Sequence, residues 1–501
     1  MLEVNHATAS RRAWAAFTWI GMCAFFLQAV WYVSRACDPM PQADNWANLD
    51  YFLRKAYYQG LGLSDFLWNR GSGDHSQPLD KVLLWVNARY FGLDFMLEGL
   101  FAMLLGFGAM LLLRRAAMAE GKDIRWGGIG AVAIAAIFFS LNSTRIYAYS
   151  MITMWFSLYL GMFASVLLAW KVLNGGNPAW LVVTTFVVGV IADDVGYLAA
   201  ASITLALCLC GGRGFTWRRT ALVIACCLGG FLLSALFYVC FRTNTGAWAM
   251  FHASPGRFVN FLRSDYGQFW KWWVIPSASG LVYFGTMRQL FGEQAAQWIA
   301  TGMGILLLPL HAWFWWKAWT RRPDLAGFMA VCVMLFYYAH LAGIVYGRLP
   351  ILGTDFLWAP RYISFYQLGV IALLLMLVAA ANDAVSRGER TPWRYAMPAV
   401  LVILLQLPIG WNALAHSNRP MRLMEKKASA LAAGAIGTPE ATRKCMEVKE
   451  LRRICSSDYR RKRFLDLLVD NRLSIFSPEF QHRHPRLAAA AAEAVRPDST
   501  R

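Results

Sequence analysis

The chain has 501 residues, 58% of them hydrophobic and only 15% charged; soluble domains run roughly 45–50% apolar and about 25% charged, so a soluble enzyme, a disordered chain, a disulfide scaffold and a coiled coil are excluded. The net charge of +19 would suggest nucleic acid in a soluble protein, but no base-reading or strand-binding motif accompanies it. In so apolar a chain it reads instead as cationic loops beside anionic lipid headgroups, which makes the lipid bilayer the expected partner and excludes nucleic acid.

A spanning helix takes about 20 mainly apolar residues. Such runs occur near 13–36, 92–113, 127–141, 147–170, 179–192, 195–212, 220–241, 295–316, 326–346, 362–381 and 395–414. The expected fold is therefore all-α, a polytopic transmembrane bundle of about 11 spans over residues 1–414, followed by a basic tail, 415–501. The first run follows Arg11-Arg12 and is too long for a signal sequence, so it reads as an uncleaved span. The fifth and sixth abut at a sharp polar turn, Ala192-Asp193-Asp194-Val195-Gly196. A further run at 267–287 carries Lys271 and is broken by Pro276 and Gly280; it reads as re-entrant or interfacial.

Cationic connections belong on the cytoplasmic side. With 267–287 left out of the count, Arg11-Arg12, Arg114-Arg115-Lys122-Arg125, Lys171, Arg213-Arg218-Arg219, Lys317-Arg321-Arg322 and Arg387-Arg390-Arg394 all fall inside. The N-terminus is then cytoplasmic and the C-terminus outside. The outer side receives two long loops, 37–91 and 242–294, short links at 142–146 and 193–194, the stretch 347–361 and the tail. Loops carry function while a bundle positions them, so chemistry is expected on the outer face. Residue usage rich in Ala, Gly and Arg has a bacterial look, and a bacterial inner membrane is the expected location.

The first outer loop carries the strongest chemical signal. Asp38 follows the first span, then Asp44-Asn45-Trp46, Asp50, Asp65, Asp74-His75 and Asp80. Trp46 to Tyr58, and Leu79 to Tyr90, have the pattern of amphipathic helices lying on the membrane surface. Carboxylates between such helices face a vestibule at headgroup depth. One of them could take a proton from an incoming hydroxyl or hold a divalent cation, Mg or Mn, through oxygen ligands. Asp44 and Asp38 are the first candidates and Asp74-His75 the next, with His suited to proton transfer. Each competes with a plain reading as a solvated loop acid or a helix cap. The pair Asp193-Asp194 could add metal ligands or simply form a solvated turn.

Cations for a phosphate should lie on the same face. Arg263, Lys271, Arg348 and Arg361 do so, and Arg257 with them. Arg361 opens the tenth span after Trp358-Ala359-Pro360, and a guanidinium fork matches phosphate oxygens; the plain alternative is an anchor that snorkels to lipid phosphates. Glu98, His311 and His340 fall within spans and read as hydrogen-bonded core groups. In the tail, Leu451, Phe464, Leu465, Leu467, Leu468 and Leu473 give a modest apolar face. Cys445 and Cys455 could pair there in an oxidising compartment. The last stretch, Ala488 to Arg501, reads as frayed.

This layout resembles the GT-C superfamily of polytopic membrane glycosyltransferases: a long first outer loop with surface helices, an Asp just after the first span, an Arg at the outer end of a late span and an outer tail. Asp44-Asn45-Trp46 and Asp74-His75 are similar to acid-Trp and acid-His positions in the first loop of bacterial members. The acidic pair familiar in that loop is absent, since Asp44 is followed by Asn45. The resemblance implies an inverting transfer of a sugar from a polyprenyl phosphate donor to a glycan or lipid acceptor of the cell envelope. A first-loop Asp would activate the acceptor, and Arg and Lys would hold the donor phosphate. Alternatives are a transporter or flippase of a lipid-linked saccharide, or a polysaccharide polymerase or ligase of the same pathway.

Overall fold

The computed structural model describes residues 2–68, 76–119, 124–150, 152–192, 194–241, 254–389 and 393–495. Among them every regular element is helical. The chain opens with α1 (Leu2–Ala36), α2 (Asn45–Asn48), a π turn at Leu49–Leu53, α3 (Arg54–Tyr58), α4 (Leu63–Leu67), α5 (Pro78–Tyr90), α6 (Phe95–Met118) and α7 (Ile124–Phe138). It continues through α8 (Thr144–Tyr147), α9 (Ile152–Leu173), α10 (Ala179–Ala192), α11 (Asp194–Cys210) and α12 (Trp217–Phe241). Then come α13 (Pro255–Ser264), α14 (Lys271–Leu281), α15 (Phe284–Phe291), α16 (Glu293–Thr320), α17 (Leu325–Gly347) and α18 (Leu349–Leu352). The last part holds α19 (Ile363–Ser386), α20 (Trp393–Ala415), α21 (Arg419–Ile436), α22 (Pro439–Glu447), α23 (Arg452–Cys455), α24 (Asp458–Asp470), α25 (Pro478–Arg483) and α26 (Pro485–Val495).

Ten helical segments among the described residues are long and apolar enough to cross a membrane, built on α1, α6, α7, α9, α11, α12, α16, α17, α19 and α20. The eleventh expected run is the shorter apolar helix α10, packed between α9 and α12. The chain is thus a multi-pass helical membrane bundle. The interrupted run at 267–287 is not one helix: it divides into α14 and the start of α15.

Burial separates the centre of the bundle from its rim. Of the apolar window in Pro360–Ser386, 94% of residues are buried, against 22% in Trp393–Ala415; α19 is the hub and α20 is left at the edge with its apolar side chains exposed, as lipid contact requires. Small residues let the hub's neighbours approach. A Cβ on Gly130 of α7 would collide with Val378 of α19, and one on Gly280 of α14 would lie 2.7 Å from the Tyr366 carbonyl of α19.

The helix ends define two faces. On one, the cations gather: Arg213 donates to the Ala318 carbonyl at 2.7 Å, Arg219 to that of Leu173 at 3.2 Å, and Arg321 sits between Asp324, at 3.0 Å, and Asp383. The opposite face carries the first loop, α8, α13–α15, α18 and the tail.

The tail is a folded unit that packs on the first loop. Trp46, Leu49, Phe52 and Leu53 of the first loop share one apolar core with Leu431, Leu451, Leu465, Leu468 and Phe480 of the tail. Trp46 and Phe464 meet edge to face with centroids 5.7 Å apart. The helices at Asn45–Tyr58 therefore turn their apolar side to the tail, not to bare membrane. The Ala-rich end, expected to fray, forms α26 as far as Val495 and packs along α21. Cys445 and Cys455 are joined as a disulfide with their Cα atoms 6.1 Å apart.

Candidate functional site

Two acids of the first loop, Asp38 and Asp50, hold the tail, as does Asp94 just after it. Asp38 is buried; one carboxylate oxygen accepts from the Met40 N–H at 2.9 Å and the other meets the Lys427 ammonium at 2.6 Å. Lys427 is itself 3% exposed and also reaches Glu450 at 3.2 Å. Asp50, on the π turn, pairs with Arg463, and that contact holds the Arg463 guanidinium above its ordinary pKa. Asp65 takes Lys55 at 2.6 Å and the Gly62 N–H at 2.8 Å. Asp94, 0% exposed at the start of α6, binds Arg483 at 2.8 Å and His484 at 2.9 Å. Two buried charges are costly to desolvate unless well paired, so these acids are structural in their geometry. Asp38 accordingly has no lone oxygen facing a vestibule.

Asp44 is placed differently. It precedes α2, yet its side chain does not cap that helix. Its backbone N–H donates to the Tyr149 hydroxyl at 3.2 Å, and the Asn45 amide donates to Ser150 Oγ at 3.3 Å. Ala43, just before it, has φ +36°, a conformation that costs an ordinary residue roughly 1–3 kcal/mol and that collects at functional positions. Asp74 and His75 lie outside the described residues, as does Asp193, and the side chain of Asp194 does too.

Residues 140–150 connect Asp44 to the late arginine. At one end Tyr149 and Ser150 hold the start of the first loop, and the Asp38 N–H donates to the Ala148 carbonyl at 3.3 Å. At the other, the Ser143 hydroxyl donates to the Pro360 carbonyl at 3.1 Å, directly before Arg361. The Asn142 amide donates to the Ser279 carbonyl at 2.9 Å while its oxygen accepts the Tyr283 N–H. Three segments thus converge around α8: 140–150, the α14–α15 corner and the short helical turns at 354–362. Asp44 and Arg361 share a face.

Arg361 is exposed and stacks on Phe356 and Tyr362, 4.8 and 5.3 Å from the ring centroids. Arg348 also reaches the Tyr362 hydroxyl. Arg145 on α8, which no feature of the sequence had singled out, is exposed beside Tyr283. Burial raises the Tyr283 hydroxyl, against the opposing pull of Arg288 and Arg145. The available signal was position alone: Arg145 sits in a short link on the same face as the first loop. Arg263 is exposed on the last turn of α13, and Lys271 lies over Trp270 at 5.9 Å. Below α8 a small cavity opens between α9 and α19, lined by Ser140, Ser143, Tyr147, Tyr159, Ser364 and Gln367. It has room for about one water, ≈ 10 Å³, so a sugar would have to sit above it.

The core groups are as expected from their positions. Glu98 accepts from the Asn87 amide at 2.7 Å, His311 Nδ1 lies 2.7 Å from the Tyr338 hydroxyl and His340 Nδ1 is 2.9 Å from the Phe336 carbonyl. Among the described residues, no group of three or more His, Cys, Asp or Glu side chains comes together to hold a metal ion.

In comparisons with protein-family models, with curated proteins and with solved structures, nothing matches this chain.

Proposed function

We propose that the protein is an inverting glycosyltransferase of a bacterial inner membrane, working on the periplasmic face with a polyprenyl-phosphate sugar donor and a cell-envelope glycan or lipid acceptor. The N-terminus is cytoplasmic in this reading and the C-terminal cap periplasmic. The gathering of cations on the face opposite the cap supports that orientation, as does the Cys445–Cys455 disulfide, which suits an oxidising compartment.

The observation that carries the reading is the shared anchor of Asp44 and Arg361 on residues 140–150. A lipid phosphate lying in the headgroup layer presents its glycosidic bond at that depth. Asp44 takes the proton of the acceptor hydroxyl as its oxygen bonds to the anomeric carbon. The bond from that carbon to the phosphate oxygen breaks with its electron pair, and Arg361 and Arg348 neutralise the departing phosphate, the type of electrostatic stabilisation that lowers such barriers most.

Asp44→Asn keeps the size and the backbone anchor but removes the base. Glycan output in a cell relying on this variant is expected to fall about 100-fold or more, with Asp44→Glu restoring part of it. Full output from a correctly inserted Asp44→Asn protein overturns catalysis by Asp44.

A further inference from the structure

We infer that the solvent face of the helical stretch from Asp44 to Tyr58, with the adjoining face of α24, is a binding track for the acceptor. The acceptor is then an oligosaccharide of several sugars and not a lipid with a single polar group. That the track ends at a reacting hydroxyl rests on the transferase reading above; that it binds a glycan rests on the surface itself.

α2, the π turn and α3 run on without a break from Asn45 to Tyr58. Trp46, Leu49, Phe52 and Leu53 point into the core shared with the tail. The opposite face carries Asp44, Ala47, Tyr51, Arg54 and Tyr58, whose alternating steps of three and four residues put them on one side of a helix. At 1.5 Å per residue this stripe extends about 20 Å. Tyr51 and Tyr58 are 50% and 51% exposed. Beside it runs α24, packed on the π turn, where Tyr459, Arg463, Asp466 and Asp470 repeat the same spacing; Tyr459 is 69% exposed. The two helices are stitched along their length. Asp50 meets Arg463 and Arg54 donates to the Arg463 carbonyl. The Tyr58 hydroxyl donates to Asp470 at 3.3 Å and accepts from the Asn471 amide at 3.2 Å.

The chemistry of this surface fits sugars. A tyrosine ring offers a flat apolar face to the C–H bonds of a pyranose, and it has little rotamer freedom to lose on binding. Around the rings, donors and acceptors are held in place. Arg463 spends one N–H on Tyr459, at 2.7 Å, and another on Asp50, and a guanidinium has five. A sugar hydroxyl both donates and accepts, so it can use the arginines and the carboxylates together. Acids and bases are mixed along the seam, Asp50, Asp466 and Asp470 with Arg54 and Arg463, so nothing selects a strongly charged partner. The bilayer is met elsewhere: α15 and α16 expose Leu290, Phe291 and Trp298, side chains suited to acyl chains and headgroups. From Asp44 to Tyr58 no Trp, Phe, Leu or Ile is exposed. On α24 the one exposed aliphatic side chain is Val469, less than the apolar centre of a protein interface.

The test uses the full chain in the cell that makes it, with photo-reactive p-benzoylphenylalanine as the probe in place of Tyr51. That side chain is half exposed and forms no hydrogen bond among the described residues, so its replacement leaves the seam intact. After irradiation and purification under denaturing conditions, the attached material is hydrolysed and its monosaccharides and fatty acids are measured. Sugar is expected at Tyr51 and not at Trp298, a control position on α16 that should capture fatty acid. Tyr459→Ala and Tyr58→Ala should each cut the sugar yield roughly twofold to tenfold, the equivalent of one aromatic contact, and Tyr459→Phe should keep most of it. No sugar at Tyr51, fatty acid without sugar, a cross-linked protein, or an undiminished yield in both alanine variants overturns the track. If Asp44→Asn leaves glycan output unchanged while Tyr51 still captures sugar, the transferase reading fails and the track stands. If output is lost in Asp44→Asn but Tyr51 captures no sugar, the track fails and that reading stands.

Discussion

The cap and the α8 corner are both rich in charge, and they treat it in opposite ways. In the cap, Asp38, Asp50 and Asp94 each end on a cation of the tail. At the corner, Arg145 and Arg361 have no acid partner among the described residues, and the aromatic rings of Phe356, Tyr362 and Tyr283 are their neighbours. Matched charges hold parts of a chain together. Unmatched charges, kept on an ordered backbone, are what a ligand can neutralise. Part of the acid-rich loop, Asp38 and Asp50, docks the basic tail, which is its complement there.

The sharpest way to break this comparison is at Lys427. Removing its ammonium leaves Asp38 buried without a counter-charge, which costs about 3–5 kcal/mol. Lys427→Met is therefore expected to release the cap, read as a large drop in thermal midpoint and as rapid proteolysis within 415–495. The double variant Asp38→Asn, Lys427→Met should recover much of that stability, because a neutral pair replaces a stranded charge. If Lys427→Met alone is harmless, the cap is not held by matched charges. A smaller effect is expected from Cys445→Ser with Cys455→Ser. The bond closes a loop with a sequence separation of 10, and its loss should cost roughly 2–3 kcal/mol through a less constrained unfolded chain, lowering the unfolding temperature of the cap without moving the membrane bundle.

Much of the bundle was legible because lipid imposes a simple rule: long apolar runs must be helices. The break in the 267–287 run was read at the wrong place: Pro276 and Gly280 both lie within α14, which ends only at Leu281, and Gly280 serves instead to let α14 approach the Tyr366 carbonyl. The cap was not legible. Its core joins residues such as Trp46 and Phe464 that lie far apart in the chain, and each half alone shows only a modest apolar stripe. Asp38 illustrates the same limit. Its position after the first span suggested a base, but folding buries it against Lys427, a partner that no local pattern could name. Arg145 was overlooked for the reverse reason. A lone arginine in a short link carries no periodicity, and it acquires meaning only when folding sets it beside Tyr283 and the turn that carries Arg361.

The smallest stability effect is predicted where the comparison expects function. Arg361 is exposed and holds no carboxylate, so Arg361→Gln should change the unfolding free energy by no more than about 0.5 kcal/mol. Its loss should nonetheless lower glycan output by about 100-fold, as removal of a group that stabilises developing charge does. The two readouts are informative together. A stable, inactive Arg361→Gln places the residue on the ligand side of the comparison. A variant that loses stability in proportion to activity would show that stacking on Phe356 and Tyr362 is its main task, and the corner would then be a structural joint between α18 and α19, organised by the same logic as the cap.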